Sequence, residues 1–220
     1  MRERPAGRSA VLLDFEATPA PKAAAADAAA ALSAALADGA LPGVEDLVPA
    51  ATTILVQGSS ADGVDRLALR RALRGAAARQ TESDEDDEVV IGVHYDGPDL
   101  HDVALHLGWT TGAVVAIHTS TRWRVEFMGF APGFGYLVPD DPEDRCPPCE
   151  LPRRSESRPR VPVGSVAVAA GYSAVYPGVS PGGWNLLGHT DFPLWDATAD
   201  PPTPLHAGAI VRFTDLASQC

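Results

Sequence analysis

Two glycine-rich segments carry the residue types best suited to hold a reacting group. Residues 127–137 place three glycines and one proline among four aromatic side chains, and residues 176–189 contain the run Ser-Pro-Gly-Gly-Trp. Glycine tolerates positive φ angles and close backbone approach, so amides in such loops can point at a carbonyl oxygen or an anion. The same composition suits a tight loop packed by its aromatic side chains. The segments therefore predict either an oxyanion-binding site or a structural loop.

Four arginines lie in the stretch between the two glycine-rich segments. Arg153, Arg154, Arg158 and Arg160 fall within eight residues of a chain whose formal net charge is −12. Guanidinium groups bind carboxylates and phosphates through paired hydrogen bonds. The cluster predicts a carboxylate- or phosphate-binding surface. The alternative is a solvated loop whose arginines pair with surface carboxylates.

His118 and His189 are the histidines nearest these segments. Imidazole transfers protons near neutral pH, although a lone histidine is more often structural. The chain contains no Walker phosphate loop and no His-Glu-x-x-His motif. We therefore identify no complete catalytic apparatus of a familiar kind.

Cys146 and Cys149 form an isolated Cys-Pro-Pro-Cys motif. A structural zinc site needs two further ligands, and no second cysteine pair or spaced histidine pair supplies them. A redox motif needs a helix that starts at the first cysteine, and two prolines fit poorly inside a helix. We interpret the pair as an incidental loop feature and predict no metal site.

The overall composition excludes several classes of protein. A net charge of −12 disfavours binding to nucleic acid and to anionic lipid. No apolar run is long enough to cross a bilayer, and the apolar stretch after the charged N-terminus is too short for a signal peptide. Three cysteines are too few for a disulfide scaffold. We expect a cytoplasmic globular protein.

The first 80 residues predict a small α/β domain. A strand is expected at 9–15, an alanine-rich helix at 22–37, a strand within 44–57 and an amphipathic helix at 62–79. Residues 81–88 carry six carboxylates, a density typical of a solvated linker. The linker separates this domain from residues 89–220.

The second domain predicts a β-barrel. A strand at 89–94 precedes a helix from the expected N-cap Asp99 to Leu107, and Thr110 is expected to cap a second helix that ends near His118. From Trp123 onward, short strands rich in valine alternate with Gly/Pro turns, which is typical of an antiparallel barrel or closed sandwich. The second helix has no Arg or Lys, so a DNA-reading helix pair is not expected.

Six motifs in this region resemble, in the same order, those of the family formed by the B component of 5-oxoprolinase. That family is also called allophanate hydrolase subunit 1 and includes the inhibitor of a sporulation histidine kinase. The resemblance is weaker over the first 80 residues. It covers the Gly-Phe-Ala-Pro-Gly-Phe-Gly-Tyr-Leu run, the Pro-Arg-Arg and Ser-Pro-Gly-Gly-Trp motifs and three others, at residues 93–100, 118–120, 129–137, 152–154, 160–166 and 180–184.

The resemblance implies an α+β fold, with a small α/β N-terminal domain followed by a cyclophilin-like antiparallel β-barrel. It also implies partners, subunits A and C, and the ATP-dependent cleavage of 5-oxoproline to glutamate. ATP, with Mg, would act in the complex, and none is assigned to the isolated chain. The alternatives are a non-catalytic inhibitor of a sensor histidine kinase and a carboxyltransferase component of a urea or allophanate amidolyase, which would need a biotin-bearing partner.

The segments, the arginines and the resemblance together predict a site for a small lactam or amide. His118 or His189 would carry the proton. Tyr172 and His189 stand where the family usually has Gln and Arg, so the substrate contacts are expected to differ there. The expected substrate-binding residues are Gly129, Phe130, Pro132, Gly133, Tyr136, Arg153, Arg154, Arg158, Arg160, Pro181, Gly182, Gly183, Trp184 and Asn185.

Overall fold

The chain divides into two compact units, Met1–Ser83 and Asp84–Cys220. The computed structural model describes residues 1–59, 63–75, 88–141 and 143–219. The acidic segment predicted as a linker lies outside the described residues, except for Glu88, which begins a strand. No helix in the described part of the chain is both long and apolar enough to span a bilayer.

The first unit is a four-stranded sheet with two helices. The sheet is antiparallel throughout, in the order β1-β2-β4-β3. Its core is built on Leu13, Leu32, Ile54 and Leu69, all fully buried. The elements are β1 (Arg2–Ala6), β2 (Ala10–Asp14), α1 (Pro21–Ala37), β3 (Val44–Pro49), β4 (Thr53–Gly58) and α2 (Arg66–Gly75).

Neither edge strand of this sheet was predicted as a separate strand. β1 has the sequence Arg-Glu-Arg-Pro-Ala and lacks an apolar face, so no pattern predicts it. It is held by five paired positions with β2 and by ion pairs such as Arg4 to Asp14 at 2.7 Å. β3 is a partly exposed strand that was merged with β4 into one segment, 44–57. The predicted helix 62–79 is observed over Arg66–Gly75, and the remainder of its C-terminal part lies outside the described residues.

The second unit contains a seven-stranded sheet in the order β12-β9-β10-β7-β6-β13-β5, and a separate pair of strands, β11 and β8. Its elements are β5 (Glu88–Val93), α3 (Leu100–Leu107), α4 (Thr111–Ser120), β6 (Trp123–Met128), β7 (Gly135–Pro139), α5 (Pro147–Glu150), β8 (Arg158–Val161), β9 (Ser165–Ala169), β10 (Tyr172–Val175), β11 (Ser180–Gly182), β12 (Asn185–His189) and β13 (Ile210–Asp215), followed by a 3-10 turn (Leu216–Gln219).

The seven-stranded sheet closes into the predicted barrel. His94, which follows β5, and His189, at the end of β12, exchange two backbone hydrogen bonds of 2.8 and 2.9 Å. These bonds join the ends of the two outermost strands at one residue pair, so the sheet is nearly closed. The barrel is not wholly antiparallel, because β13 runs parallel to β5 over six paired positions. This is a correction to the antiparallel barrel that the sequence predicted.

The barrel has an apolar interior and an aromatic outer face. Leu137 on β7 and Val175 on β10 belong to the core. Side chains alternate along a strand, so their neighbours on those strands point outward. This places Tyr136 of β7 and Tyr172 of β10 on the outer face. A register shift between Val125 and Phe127 on β6 brings Phe127 to the same face, opposite Tyr136.

The short helix α5 corrects the interpretation of the cysteine motif. Cys146 is its N-cap, and Pro147 and Pro148 occupy the first helical positions. Amide groups in the first turn of a helix have no partner within it, so proline is tolerated there. The two prolines therefore begin this helix, although their presence in the sequence had argued against one. Strands β7, β8 and β11 were also not predicted; β7 begins inside the first glycine-rich segment.

Candidate functional site

The outer face of β6, β7 and β10 carries a cluster of aromatic rings. Tyr136 lies at its centre, with ring centroids 4.4 Å from Phe127, 5.0 Å from Phe134, 5.4 Å from Tyr172 and 5.8 Å from Trp184. Most of these pairs meet edge to face, the arrangement that the aromatic quadrupole favours. The Tyr136 side chain is half-buried. We call this set, with Phe130 and Tyr176, the aromatic cluster.

The first glycine-rich segment forms a tight loop over this cluster. The Gly129 amide donates to the Phe134 carbonyl at 3.1 Å, and the Phe134 amide donates to the Ala131 carbonyl at 3.0 Å. Phe130 has a φ of 68° and is 61% exposed. A Cβ at Gly133 would lie 2.6 Å from the Leu194 carbonyl oxygen, so this glycine is required for close packing.

The same loop leaves one exposed backbone donor without a partner. Among the described residues, no group accepts a hydrogen bond from the amide of Phe130, which is exposed. The Gly133 amide has no acceptor there either, but Gly133 is buried. Pro132, which is exposed, lies between them and has no amide hydrogen. The loop is packed by aromatic side chains, and the Phe130 amide is its candidate donor to a ligand oxygen.

The second glycine-rich segment is shaped by packing against the protein itself. A Cβ at Gly182 would overlap the Tyr176 hydroxyl, and one at Gly183 would lie 2.9 Å from Ser157 Oγ. Pro181 is exposed beside them. Asn185 donates from Nδ2 to the carbonyls of Pro152 and Val168, at 3.2 and 3.3 Å. These contacts favour a structural role for Gly182, Gly183 and Asn185, predicted to bind substrate; Trp184, which follows, belongs to the aromatic cluster.

Asp99 holds two of the four arginines. Its Oδ1 accepts from Arg154 Nη1 at 2.6 Å and from Arg158 Nη2 at 2.7 Å, and its Oδ2 accepts from the Leu186 amide at 2.7 Å. Asp99 is only 2% exposed. Asp99 occupies the N-cap position of α3, as predicted, but its side chain makes no capping hydrogen bond to the helix. Arg154 and Arg158, predicted to bind substrate, are instead engaged by this buried carboxylate.

Arg153 and Arg158 are the arginines whose charges act on tyrosines of the aromatic cluster, and Arg158 is already bonded to Asp99. Burial raises the pKa of the Tyr136 and Tyr176 hydroxyls, and the nearby positive charge of Arg153 opposes both increases. Within the described residues, no carboxylate forms an ion pair with Arg153 or with Arg160, and both side chains are exposed. Arg153 is therefore a cation beside the aromatic cluster whose charge is available to an anionic ligand.

Glu126 and Tyr172 form a pair that was not predicted from the sequence. The Tyr172 hydroxyl donates to Glu126 Oε2 at 2.7 Å. Burial raises the pKa of Tyr172 well above its usual range, and the hydrogen bond to Glu126 adds to the increase. Glu126 lies at the irregularity of β6, where bulges often redirect a side chain beside a functional site. The sequence did contain one indication of this pair: Glu126 is a carboxylate that stands among apolar strand residues just before the glycine-rich loop.

His118 is a core residue and does not reach the outer face. Its ring is fully buried, with Nδ1 2.7 Å from the Tyr95 hydroxyl and Nε2 2.8 Å from Ser173 Oγ. Ser173 Oγ lies 3.5 Å from the Ala167 carbonyl, to which it can only donate, so we assign the ring proton to Nε2. Burial lowers the pKa of His118 to about 3. His118 is therefore neutral, and the prediction that it carries a proton for substrate is wrong.

His189 lies at the opposite end of β12 from Trp184. It is exposed, its Nδ1 is 2.8 Å from Asp96 Oδ1, and its ring stacks on His94 at 5.1 Å. It lies four residues after Asn185 along the strand, a span of roughly 13 Å. The structure therefore does not bring His189 to the aromatic cluster.

Two surface cavities are lined by residues other than those of the aromatic cluster. One of about 430 Å³ is lined by Tyr95, Thr111, Val115 and Asp215, among others. Another of about 570 Å³ is lined by Glu88, Pro204, Leu205 and neighbouring residues. Most rings of the aromatic cluster are buried, and Phe130 is the exposed one. The described residues also contain no group of three His, Cys, Asp or Glu side chains suited to hold a metal ion.

Comparisons with known proteins point to one family. Residues 1–205 match the carboxyltransferase domain, subdomains C and D. The B component of 5-oxoprolinase from Escherichia coli O157:H7 is 36% identical over 180 residues, which cover 79% of this chain and 78% of that protein. The crystal structure of TTHA0988 superposes with a TM-score of 0.76 at 36% identity, over 94% of this chain and 39% of that one.

A more distant likeness extends to a large enzyme. The urea carboxylase of Kluyveromyces lactis shares the fold with a TM-score of 0.70, over 99% of this chain and 22% of that one, at 16% identity. At that identity the likeness concerns the fold alone. This chain therefore spans a minor part of both solved proteins, and the remainder of each has no counterpart in it.

Proposed function

The chain belongs to the 5-oxoprolinase B-component family of carboxyltransferase-domain proteins, and from that premise we propose that it is the B component of an ATP-dependent 5-oxoprolinase. The complex, with subunits A and C, opens the cyclic amide of 5-oxoproline to give glutamate. A cytoplasmic location is part of the same proposal. We do not expect the isolated chain to be a complete catalyst, because its sequence has no Walker phosphate loop for the ATP that the reaction uses.

The position of Arg153 carries the proposal. The substrate is a small anion with one carboxylate and one ring amide, so its binding site needs a cation beside an apolar surface. Arg153 supplies the cation, and the half-buried ring of Tyr136 and the exposed ring of Phe130 supply the surface. The amide of Phe130 lies in the covering loop, where it can donate to the amide oxygen as negative charge develops on it.

Glu126 is our candidate for the proton-accepting group. Cleavage of an amide by water requires a base that takes a proton from the attacking water. Glu126 is a carboxylate on the same face of β6, and the hydroxyl of Tyr172 fixes its position. That hydroxyl bonds to Oε2, so Oε1 can accept a further hydrogen bond from the water.

ATP and Mg²⁺ do not fit the residues of this chain. The sequence has no Walker loop, and no described cluster of carboxylates or imidazoles is suited to a metal ion. We therefore assign nucleotide and metal binding to the partner subunits. The contribution of this chain is to bind and orient the cyclic amide and to accept a proton.

Reconstitution tests the proposed function. The chain is co-purified with candidate subunits C and A, and ATP hydrolysis and glutamate release are measured with and without 5-oxoproline. We expect both activities to require all three chains and the substrate. A stable complex that hydrolyses ATP but releases no glutamate would contradict the proposed substrate. Failure of the chains to associate would contradict the proposed complex.

Replacing Arg153 by alanine tests the substrate anchor. We expect KM for 5-oxoproline to rise about 10- to 100-fold, because a charge-assisted hydrogen bond to the carboxylate is lost. Stability should change little, since the side chain is exposed. Steady-state kinetics of the assembled complex measure the effect. Arg153→Lys should recover part of the affinity, since it keeps the charge without the planar fork.

The matched control for this variant is Arg71→Ala. Arg71 is an exposed arginine on α2, in the first unit. Its removal should leave KM within about twofold of the parent value, as expected for a change at an exposed position that belongs to the other unit. Equal KM values for the parent protein and Arg153→Ala would show that Arg153 does not bind the substrate carboxylate.

A carboxyltransferase component is the second candidate function. The matched domain is a carboxyltransferase domain, and that reaction needs a biotin-bearing partner. Adding avidin to the assembled complex distinguishes the two. Avidin sequesters biotin and would stop a biotin-dependent carboxyl transfer, whereas it would leave 5-oxoproline cleavage unchanged.

A further inference from the structure

The Cys-Pro-Pro-Cys turn places two sulfur atoms in contact. Cys146 Sγ and Cys149 Sγ lie 2.6 Å apart, and both side chains are almost fully buried, at 3% and 2% exposed. The turn is closed by a hydrogen bond from the Cys149 amide to the Cys146 carbonyl at 2.8 Å. Both residues pack in the core cluster of the barrel unit.

We propose that Cys146 and Cys149 are a modification site, at which a reversible disulfide forms within the chain. A disulfide brings its sulfurs to about 2.05 Å, so bond formation needs a movement of only about half an ångström. A zinc site is the other common use of such spacing. It needs further ligands, and no third His, Cys, Asp or Glu joins the pair among the described residues.

The reaction balances with a low-molecular-weight disulfide as the oxidant. One cysteine thiolate attacks glutathione disulfide, forming a mixed disulfide and releasing one glutathione thiol. The second cysteine then attacks the mixed disulfide and releases the second glutathione. Two protein thiols lose two electrons and two protons, and one glutathione disulfide is reduced to two thiols. Because the pair is buried, the first attack requires the turn to open, so oxidation is slow.

The turn is bonded to the hairpin that presents Tyr172. The Cys149 carbonyl accepts from the Gly171 amide, and the Leu151 carbonyl accepts from the Ala170 amide, both at 2.7 Å. Ala170 and Gly171 have φ angles of 54° and 88° and form the turn between β9 and β10. Tyr172 follows directly. The disulfide would therefore restrain the turn Cys146–Cys149, whose Cys149 carbonyl group helps to hold the β9–β10 hairpin. That hairpin carries Tyr172 of the aromatic cluster.

Thiol counting tests the proposal on the whole chain. The third cysteine, Cys220, is first changed to serine, which leaves only the pair. The folded protein is incubated for hours with glutathione disulfide or with dithiothreitol, then unfolded in acid and labelled with a maleimide for mass spectrometry. We expect two labels after dithiothreitol. After glutathione disulfide we expect none, with a mass lower by two hydrogens.

A variant and a stability measurement complete the test. Cys146→Ser on the same background should bind one label after dithiothreitol and should never lose two hydrogens. The oxidised parent should unfold a few degrees above the reduced parent, because the crosslink restricts the unfolded chain. Two labels after oxidation, or one glutathione retained on each cysteine, would overturn the proposal. None of these measurements uses 5-oxoproline, so they stand or fall independently of the proposed function.

Discussion

Replacing Asp99 by alanine is expected to lower the free energy of unfolding of the barrel unit by about 3 kcal/mol. Removing one partner of a buried ion pair typically costs about 3–5 kcal/mol, because the other charge is left without compensation. Arg154 and Arg158 keep part of their surface in water, at 35% and 23% exposed, which reduces that cost. The Leu186 amide, which loses its acceptor, adds to it.

Tryptophan fluorescence during urea unfolding measures the free energy of unfolding of the second unit, which contains Asp99. All four tryptophans lie beyond residue 84, so their emission reports on the second unit alone. The matched control is Asp96→Ala. Asp96 is an exposed carboxylate bonded to His189, and its removal should cost less than about 1 kcal/mol. Similar losses in the two variants would show that Asp99 does not hold this part of the fold.

Asp99 is the N-cap residue of α3, as predicted, but the local sequence does not reveal what its carboxylate binds. A short polar residue just before a helix is typical of an N-cap, and α3 does begin at Leu100. The carboxylate instead meets arginines 55 and 59 residues further along the chain. Only the closed barrel brings these segments together. Thr110, by contrast, caps α4 as predicted, because its partner, the Ala113 amide, is three residues away.

The strands of the second unit were predictable where alternation is strong. The β6 sequence alternates buried and half-buried residues, and it was expected within one residue of its observed bounds. β8 and β11 are short and rich in proline and glycine, so their composition favours turns. They form a two-stranded sheet of their own. The parallel pairing of β13 with β5 has no local signature either, because register between strands more than a hundred residues apart is a tertiary property.

The candidate site was predictable in its segments but not in its individual roles. Glycine and aromatic spacing marked the loop that covers the aromatic cluster, and the net negative charge made the arginine cluster conspicuous. Residue type alone does not tell which arginine pairs with a carboxylate. Arg153 and Arg154 are adjacent in sequence, but of the two only Arg154 is bonded to Asp99 among the described residues. His118 and His189 were predicted to carry a proton because they are histidines. In the structure His118 is buried in the core, and His189 lies at the far end of β12, so neither is placed at the aromatic cluster.

Changing Glu126 to glutamine is expected to lower kcat of the assembled complex about 100- to 10,000-fold, the usual contribution of a general base. KM for 5-oxoproline should stay within about threefold, because Arg153 still binds the carboxylate. Glutamine keeps the size of the side chain and an oxygen that accepts from Tyr172, so the fold should be preserved. Stopped-time assays of glutamate release measure kcat, and urea unfolding checks the fold.

Two companion variants separate a catalytic from a structural role. Tyr172→Phe removes only the hydroxyl that positions Glu126, and we expect kcat to fall about tenfold, the effect of one neutral or charge-assisted hydrogen bond. Burial raises the pKa of Tyr172, so its hydroxyl remains a donor at every pH used. Glu143→Gln, an exposed carboxylate distant from the aromatic cluster in its contacts, should leave kcat unchanged.

The separation of kcat from KM supplies the sharpest criterion for Glu126. A general base accepts a proton in the chemical step, so its loss should lower kcat while the affinity for 5-oxoproline is kept. A Glu126→Gln variant that retains near-parental kcat would assign proton transfer to a partner subunit. The aromatic face of this chain would then bind and orient the cyclic amide without accepting its proton.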